Sequence, residues 1–261
     1  MLKTSKAFDL HDYADALPRG KTRTKLLSAI RGYLGIKSVI RDLTHAREVM
    51  RILGEHQAKE TPGRQTLDSA LLGRALFNQA LLLYVGATKT VSHSRPPFDG
   101  WRMYSENDRK RHKVICDLRD NAIAHYGPGG ELLRQPWVED RLALVVNSQT
   151  DMLHLKPCYK ISATKGVLSD DLRALIELAL SLAELRVNPK AEDLFNLLRT
   201  EHGAGQDLLE KSPFDPMKFF DNEPAAAAFW ETGPSETNMI SISADRRQVV
   251  RDDSLNRTGE S

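Results

Sequence analysis

One 25-residue segment constrains the fold more than any other feature of this sequence. It follows Thr66, reads LDSALLGRALFNQALLLYVGATKTV, and carries large apolar side chains over most of a helix circumference. A helix that is apolar nearly all round must be covered by other helices or by a subunit contact. The segment therefore predicts a mainly α-helical protein with this helix central in a bundle or at a subunit interface.

Three further segments have helical periodicity. Residues 36–56 place an apolar stripe between charged positions, and a later segment opens at Ser105 with the S-x-x-D form of a capping box and continues to about Tyr126. The last opens at Ser169 as its N-cap, is kinked or restarted at Asn188-Pro189, and is expected to stop at Gly203. Together with the central segment, these predict four main helices.

Between the third and fourth helices the period changes from helical to alternating. Residues 141–147 (RLALVVN) are apolar at their five central positions and include two β-branched valines, and apolar and polar residues alternate over 153–161. This pattern predicts a β-hairpin at about 141–161. We expect an N-terminal helical, basic segment over 1–35, a helical bundle with the inserted hairpin over 36–203, and an irregular, acidic, partly disordered tail over 204–261.

Composition and charge narrow the function classes. The net charge is +2 overall, but residues 204–261 carry 6 basic and 11 acidic residues, so the rest of the chain has a net charge of +7. The positive charge of residues 1–203 favours an anionic ligand for that part of the chain. The alternative is that the charge only varies along the surfaces of the helices.

The two cysteines are far apart and the N-terminus lacks an apolar leader core, which predicts a cytoplasmic protein without a membrane anchor. No phosphate-binding loop, dinucleotide fingerprint or nucleophile elbow is present.

The segment LRDNAIAHYG, residues 118–127, contains the strongest candidate site. On an ideal helix Arg119 and His125 lie about 120° apart, each three residues from Ala122, so a phosphate over Ala122 would meet both side chains. Asn121 lies four residues before His125, the spacing at which an amide can orient the imidazole. In the alternative interpretation, His125 caps the helix C-terminus and Arg119 makes a surface ion pair.

Arg119, Asp120 and, after four more residues, His125 resemble the R-x(4–6)-H motif of the HEPN superfamily. The resemblance implies a four-helix bundle, often dimeric, and in many members a metal-independent endoribonuclease of toxin–antitoxin, abortive-infection or CRISPR-linked defence. It implies that Arg119 binds phosphate, His125 is catalytic and Asp120 is the polar neighbour. The sequence departs from one group of HEPN toxins, because Tyr126 follows the histidine directly instead of after one intervening residue.

The residue types suit RNA cleavage by attack of the 2′-hydroxyl on the adjacent phosphorus. Histidine can transfer protons near neutral pH, and the arginine fork pairs with phosphate oxygens. We therefore expect a homodimeric endoribonuclease that needs no metal or cofactor, with an antitoxin or another defence protein as a possible partner. The alternative is a non-catalytic HEPN-like module that binds RNA, a nucleotide or a protein.

A basic run on the same helix extends this candidate site. Arg109, Lys110, Arg111 and Lys113 precede the motif by one to three turns, and with Tyr126 they are the candidate RNA-binding residues. The alternative for the run is a solvated helix face that balances nearby aspartates, Asp108 and Asp117. A second basic stretch, from Lys21 to Arg31, is interpreted as a solvated N-terminal segment.

Overall fold

The structure, a computed structural model, describes residues 6–60, 66–89, 95–123, 138–146, 153–161 and 166–231. The chain divides into two compact units, one formed by Ala14–Gln206 and the other by Met1–Tyr13 together with Asp207–Ser261. The described residues are mainly helical with one two-stranded antiparallel sheet, as the sequence predicted.

The larger unit is built on long helices. Its elements are α2 (Lys21–Ala58), α3 (Leu67–Lys89), a 3₁₀ turn (Asp99–Met103), α4 (Glu106–Asp117), a π-helical segment (Leu118–Ile123), strands β1 (Val138–Val146) and β2 (Leu153–Ile161), α5 (Val167–Glu184) and most of α6 (Val187–Glu210). A short helix, α1 (Leu10–Ala16), precedes them.

The core lies between α2, α3 and α5, with α4 packed against it. Leu43 of α2, Phe77 and Leu81 of α3 and Leu175 of α5 are fully buried. The central position predicted for the α3 segment agrees with this burial. The opposite side of α3 is exposed. About half of the surface of Leu71, Leu72 and Leu82 is accessible to solvent.

Helix α2 is longer than its predicted counterpart. The predicted boundary between residues 35 and 36 falls inside α2, whose buried positions begin at Leu26 and Ile30. The helix passes through Gly32 and Gly35, although glycine lowers helix propensity. A Cβ at Gly35 would lie 2.5 Å from Cδ of Pro96, so this glycine permits the chain at Pro96 to approach the helix closely.

Two predicted helix ends are wrong and one is confirmed. The amide of Asp108 donates to Oγ of Ser105 at 3.1 Å, which confirms the predicted cap of α4. Helix α5 instead begins at Val167 after Gly166, whose φ of 93° favours glycine, and Ser169 is buried inside the helix. Helix α6 continues through Gly203 and Gly205 to Glu210, because a glycine in a helix interior costs about 1 kcal/mol and does not by itself end a helix.

The predicted hairpin is confirmed, with its strands antiparallel and in the register Leu144↔Leu155 and Leu142↔Pro157. These four residues share one face of the sheet, because side chains alternate along a strand. Leu142, Leu144 and Leu155 each expose 60% or more of their surface, so the apolar face of the hairpin is open in the monomer.

The smaller unit joins the two ends of the chain. Phe8 and Pro213 form an antiparallel bridge, and the amide of Phe214 donates to the carbonyl of Ala7 at 2.9 Å. The predicted irregular tail contains two short helices here, α7 (Pro216–Phe220), capped by Asp215, and α8 (Glu223–Glu231). Aromatic ring contacts of Phe214 hold the helices together, which local periodicity alone does not reveal. The last 20 residues, predicted to be disordered, lie outside the described residues.

Helix α3 is the one described helix that is long and apolar enough to cross a membrane by length and composition. The sequence predicted no membrane anchor, and length and composition alone do not establish one. A core helix of a soluble protein passes the same test, and α3 buries Phe77, Leu81, Tyr84 and Val85 within the bundle. Its apolar character therefore has an explanation in the packing of the larger unit.

Candidate functional site

The candidate motif begins where α4 changes into a π-helix. Residues 118–123 form this wider turn, and the structure describes the backbone of Asn121 but not its side chain. His125 and Tyr126 lie outside the described residues, so the predicted approach of His125 to Arg119 stays a prediction. Single π turns inside helices are frequent at functional sites.

The π-helix changes the geometry that the sequence predicted. The angle of about 120° between Arg119 and His125 assumed hydrogen bonds from each residue to the fourth one before it, whereas a π turn spans five residues. The ideal α-helical spacing therefore does not apply over 118–123. Local sequence gave no signal for this change, since no proline or glycine lies within the segment.

Arg119 is held by an ion-pair cluster that links the motif to α3. Nη1 of Arg119 donates to Oδ1 of Asp120 at 2.5 Å, and Nζ of Lys89 donates to Oδ2 of the same carboxylate at 2.6 Å. The side chains of Arg119 and Asp120 are about one-third exposed, and Lys89 is about half exposed. Asp120 therefore bridges two cations at the surface, and the net charge of this cluster is +1.

Hydrogen bonds within the cluster favour the charged forms of Asp120 and Lys89. The hydrogen bond from Lys89, followed by that from Arg119, holds the pKa of Asp120 below its usual value. The same bond raises the pKa of Lys89. Among the described residues only Nη1 of the Arg119 guanidinium is hydrogen-bonded, so its remaining donors are free to meet an anion.

The basic run on α4 is largely paired with acids. Lys110 contacts Glu106 at 2.8 Å, Arg111 pairs with Asp108, and Lys113 pairs with Asp117. Pairing with these two aspartates is what the alternative interpretation of the run predicted. About 70% of the side-chain surface of Lys110 and of Lys113 is exposed to solvent, so the ion pairs leave both side chains accessible.

Two arginines of this run also make tertiary contacts. Arg111 lies 3.5 Å from Asp171 of α5, and Nη2 of Arg109 donates to the carbonyl of Arg102 at 2.6 Å. Arg111 therefore helps to join α4 to α5. Arg109 fixes the turn that precedes α4.

A buried polar network lies one to two turns before Arg119. Oη of Tyr84 is 2.7 Å from Nδ1 of His112, whose Nε2 is 3.5 Å from Sγ of Cys116. The hydroxyl of Tyr104 lies 3.4 Å from that of Tyr84. Burial lowers the pKa of His112 and raises the pKa of Cys116 to about 11, so both are neutral at pH 7. The network fixes α4 against α3 immediately before the motif.

Within the part of the chain that the structure describes, no three His, Cys, Asp or Glu side chains lie close enough together to hold a metal ion. Both cysteines, Cys116 and Cys158, are free thiols.

Sequence reasoning missed Lys89 and Tyr84, which hold Asp120 and His112. Both lie on α3, 31 and 28 residues away from their partners, so no spacing rule connects them. The only feature of the sequence that points to them is the prediction that α3 is central.

Comparison with known proteins found no family model, no curated protein and no solved structure that this chain matches. The resemblance to HEPN proteins therefore depends on the residues of the motif and on the helical pattern around them.

Proposed function

We propose that this protein is a metal-independent endoribonuclease of the HEPN type, acting as a cytoplasmic homodimer in bacterial defence or toxin biology. The observation that carries the proposal is Arg119, which is partly exposed and held through Asp120 and Lys89 at the start of the segment leading to His125. A guanidinium fixed on one side by a carboxylate retains donors for a phosphate.

The proposed reaction is intramolecular transesterification of RNA. The 2′-hydroxyl loses a proton and attacks the adjacent phosphorus, the bond to the 5′-oxygen breaks, and that oxygen receives a proton. The products are a 2′,3′-cyclic phosphate and a 5′-hydroxyl. Arg119 stabilises the extra negative charge on the phosphorane, and His125 transfers protons.

Cleavage needs a base for the 2′-hydroxyl and an acid for the leaving oxygen, whereas one chain supplies one motif histidine. A twofold pairing that brings two copies of Arg119 and His125 together provides both roles. The exposed leucines of α3 offer an apolar surface for such a contact. Light scattering combined with activity measurements tests this part, and a fully active monomer at nanomolar concentration rules out the composite site.

The decisive experiment incubates the full-length chain with 5′-labelled RNA in EDTA. We expect cleavage with cyclic-phosphate ends, and a loss of at least about 100-fold in His125→Ala, the usual scale of general acid–base catalysis. Arg119→Ala should lose a comparable factor. The matched controls are His45→Ala and Arg47→Ala, both exposed on α2 and outside the motif. A wild-type rate in His125→Ala, or a strict need for a divalent ion, contradicts the proposal.

The second candidate is a non-catalytic HEPN-like module that binds RNA, a nucleotide or a protein partner. The ion pair between Arg119 and Asp120 favours this candidate. In the alternative interpretation of the motif, Arg119 makes a surface ion pair and has no catalytic role. Binding of RNA without cleavage in the same experiment, unaffected by His125→Ala, supports this second candidate.

A further inference from the structure

A cavity in the larger unit contains none of the residues of the motif. It has a volume of about 730 Å³ and lies between the first half of α2, the segment Pro96–Asp99 and the junction of α5 with α6. Ligand cavities in proteins commonly measure about 300–1,000 Å³. The cavity is therefore large enough for a small organic molecule.

The walls of the cavity are apolar on one side. Ile36 and Val39 of α2 and Phe98 of the adjoining segment are buried, and Pro96 and Pro97 complete this wall. Water molecules find no hydrogen-bond partner on such an apolar surface. A flat, weakly polar ring packs against it more favourably than water does.

The remaining wall is cationic. Arg31, Arg186 and Lys190 line the cavity with one acid, Asp99, so the lining residues have a net charge of +2. The guanidinium of Arg186 lies 5.4 Å from the ring centroid of Phe98, which steadies it beside the apolar wall. A phosphate monoester carries about two negative charges at neutral pH, which matches this charge.

These three cations differ from the other basic side chains around the core. Arg95 is tied to Asp42 at 2.7 Å, and Arg111 is tied to two aspartates. Within the described part of the chain, no carboxylate lies within ion-pair distance of Arg31, Arg186 or Lys190. Arg31 and Lys190 are exposed and Arg186 is half-buried, so all three are accessible to an anion in the cavity.

Gly32 leaves space at the cationic wall. A Cβ at this position would lie 3.6 Å from Cδ of Lys190, an ordinary contact, so no collision requires glycine here. Glycine in a helix interior costs about 1 kcal/mol relative to alanine. Gly32 lets the stem of the Lys190 side chain lie against α2 at the edge of the cavity.

We propose that this cavity binds a nucleoside monophosphate. Its phosphate lies among Arg31, Arg186 and Lys190, and its base packs against the apolar wall formed by Ile36, Val39 and Pro96. The inference is independent of the proposed nuclease, because no lining residue belongs to residues 105–126.

Isothermal titration of the full-length protein with AMP, GMP, CMP and UMP in turn tests the proposal. At least one should bind at least tenfold more tightly than its own nucleoside and than inorganic phosphate. Arg186→Ala and Lys190→Ala should each weaken that binding at least tenfold, whereas the control Arg199→Ala, exposed on α6 outside the cavity, should not. Gly32→Ala should retain binding and Gly32→Phe, which fills the cavity, should abolish it.

Circular dichroism establishes that each variant is folded, and if Gly32→Phe is not, Arg186→Ala and Lys190→Ala decide the result. The proposal is overturned if no mononucleotide binds at millimolar concentration, or if the nucleoside binds as tightly as the nucleotide. It is also overturned if binding survives in both cation variants. The titration contains no RNA and measures no cleavage, so failure of the nuclease proposal leaves this test unaffected.

Discussion

Replacing Tyr84 with phenylalanine removes one hydroxyl from the buried network before the motif and leaves the packing volume nearly unchanged. That hydroxyl lies 2.7 Å from Nδ1 of His112, and Tyr84 has no exposed surface. Its contact with Tyr104, at 3.4 Å, is too long to contribute much. The main consequence of Tyr84→Phe is therefore that Nδ1 of the half-buried His112 loses its nearest partner and keeps only the 3.9 Å contact with Sγ of Cys116.

The magnitude follows from this loss. A neutral hydrogen bond contributes about 0.5–1.5 kcal/mol to stability, and a buried polar group left without a partner costs about 1–3 kcal/mol. We expect Tyr84→Phe to lower the free energy of unfolding by about 1–3 kcal/mol. Because about 1.4 kcal/mol corresponds to a factor of ten, the unfolding equilibrium constant should rise roughly 5- to 150-fold.

Urea unfolding followed by circular dichroism measures this change, with an unchanged m-value showing that the same surface is exposed. Tyr33→Phe is the matched control. Tyr33 is only partly buried on α2, and its hydroxyl has no hydrogen-bond partner among the described residues. If Tyr84→Phe unfolds at the same urea concentration as Tyr33→Phe, the bond to His112 contributes nothing and the reasoning is refuted.

Two further predictions concern the same unit. Burial, followed by Lys89, lowers the pKa of His112 below its ordinary 6.5, so the unfolded chain binds this proton more readily. His112 should therefore contribute stability that is complete above pH 6.5 and is lost as the pH falls through the folded-state pKa, with a slope of at most about 1.4 kcal/mol per pH unit. Urea unfolding at pH 7.5 and 5.5 should show a smaller loss in His112→Gln than in the wild type, and equal losses contradict the assignment. Gly35→Ala should lower the thermal midpoint and destabilise the fold by about 1–3 kcal/mol, because its Cβ collides with Pro96, whereas Gly86→Ala, with nothing within 4 Å, should stabilise by about 0.5–1 kcal/mol. A stabilised Gly35→Ala would show that Pro96 does not press on α2.

The sequence by itself determined the features that depend on neighbours a few residues apart. The cap of Ser105 on Asp108, the central role of α3 and the alternating hairpin all arise from local hydrogen bonding or from periodicity. Each is visible because a helix repeats every 3.6 residues and a strand every two. For the same reason the sequence indicated that Arg119 is a residue to examine, from its spacing to His125.

Only the tertiary structure decided the contacts between residues far apart in the chain. It brought Lys89 to Asp120, placed Arg31 and Arg186 on the lining of one cavity, and set Pro96 against Gly35. These pairs depend on the path of the chain between helices, which no local pattern encodes. The π turn at 118–123 and the extension of α6 beyond Gly203 likewise have no signal in the local sequence, since glycine is only a weak helix stop of about 1 kcal/mol.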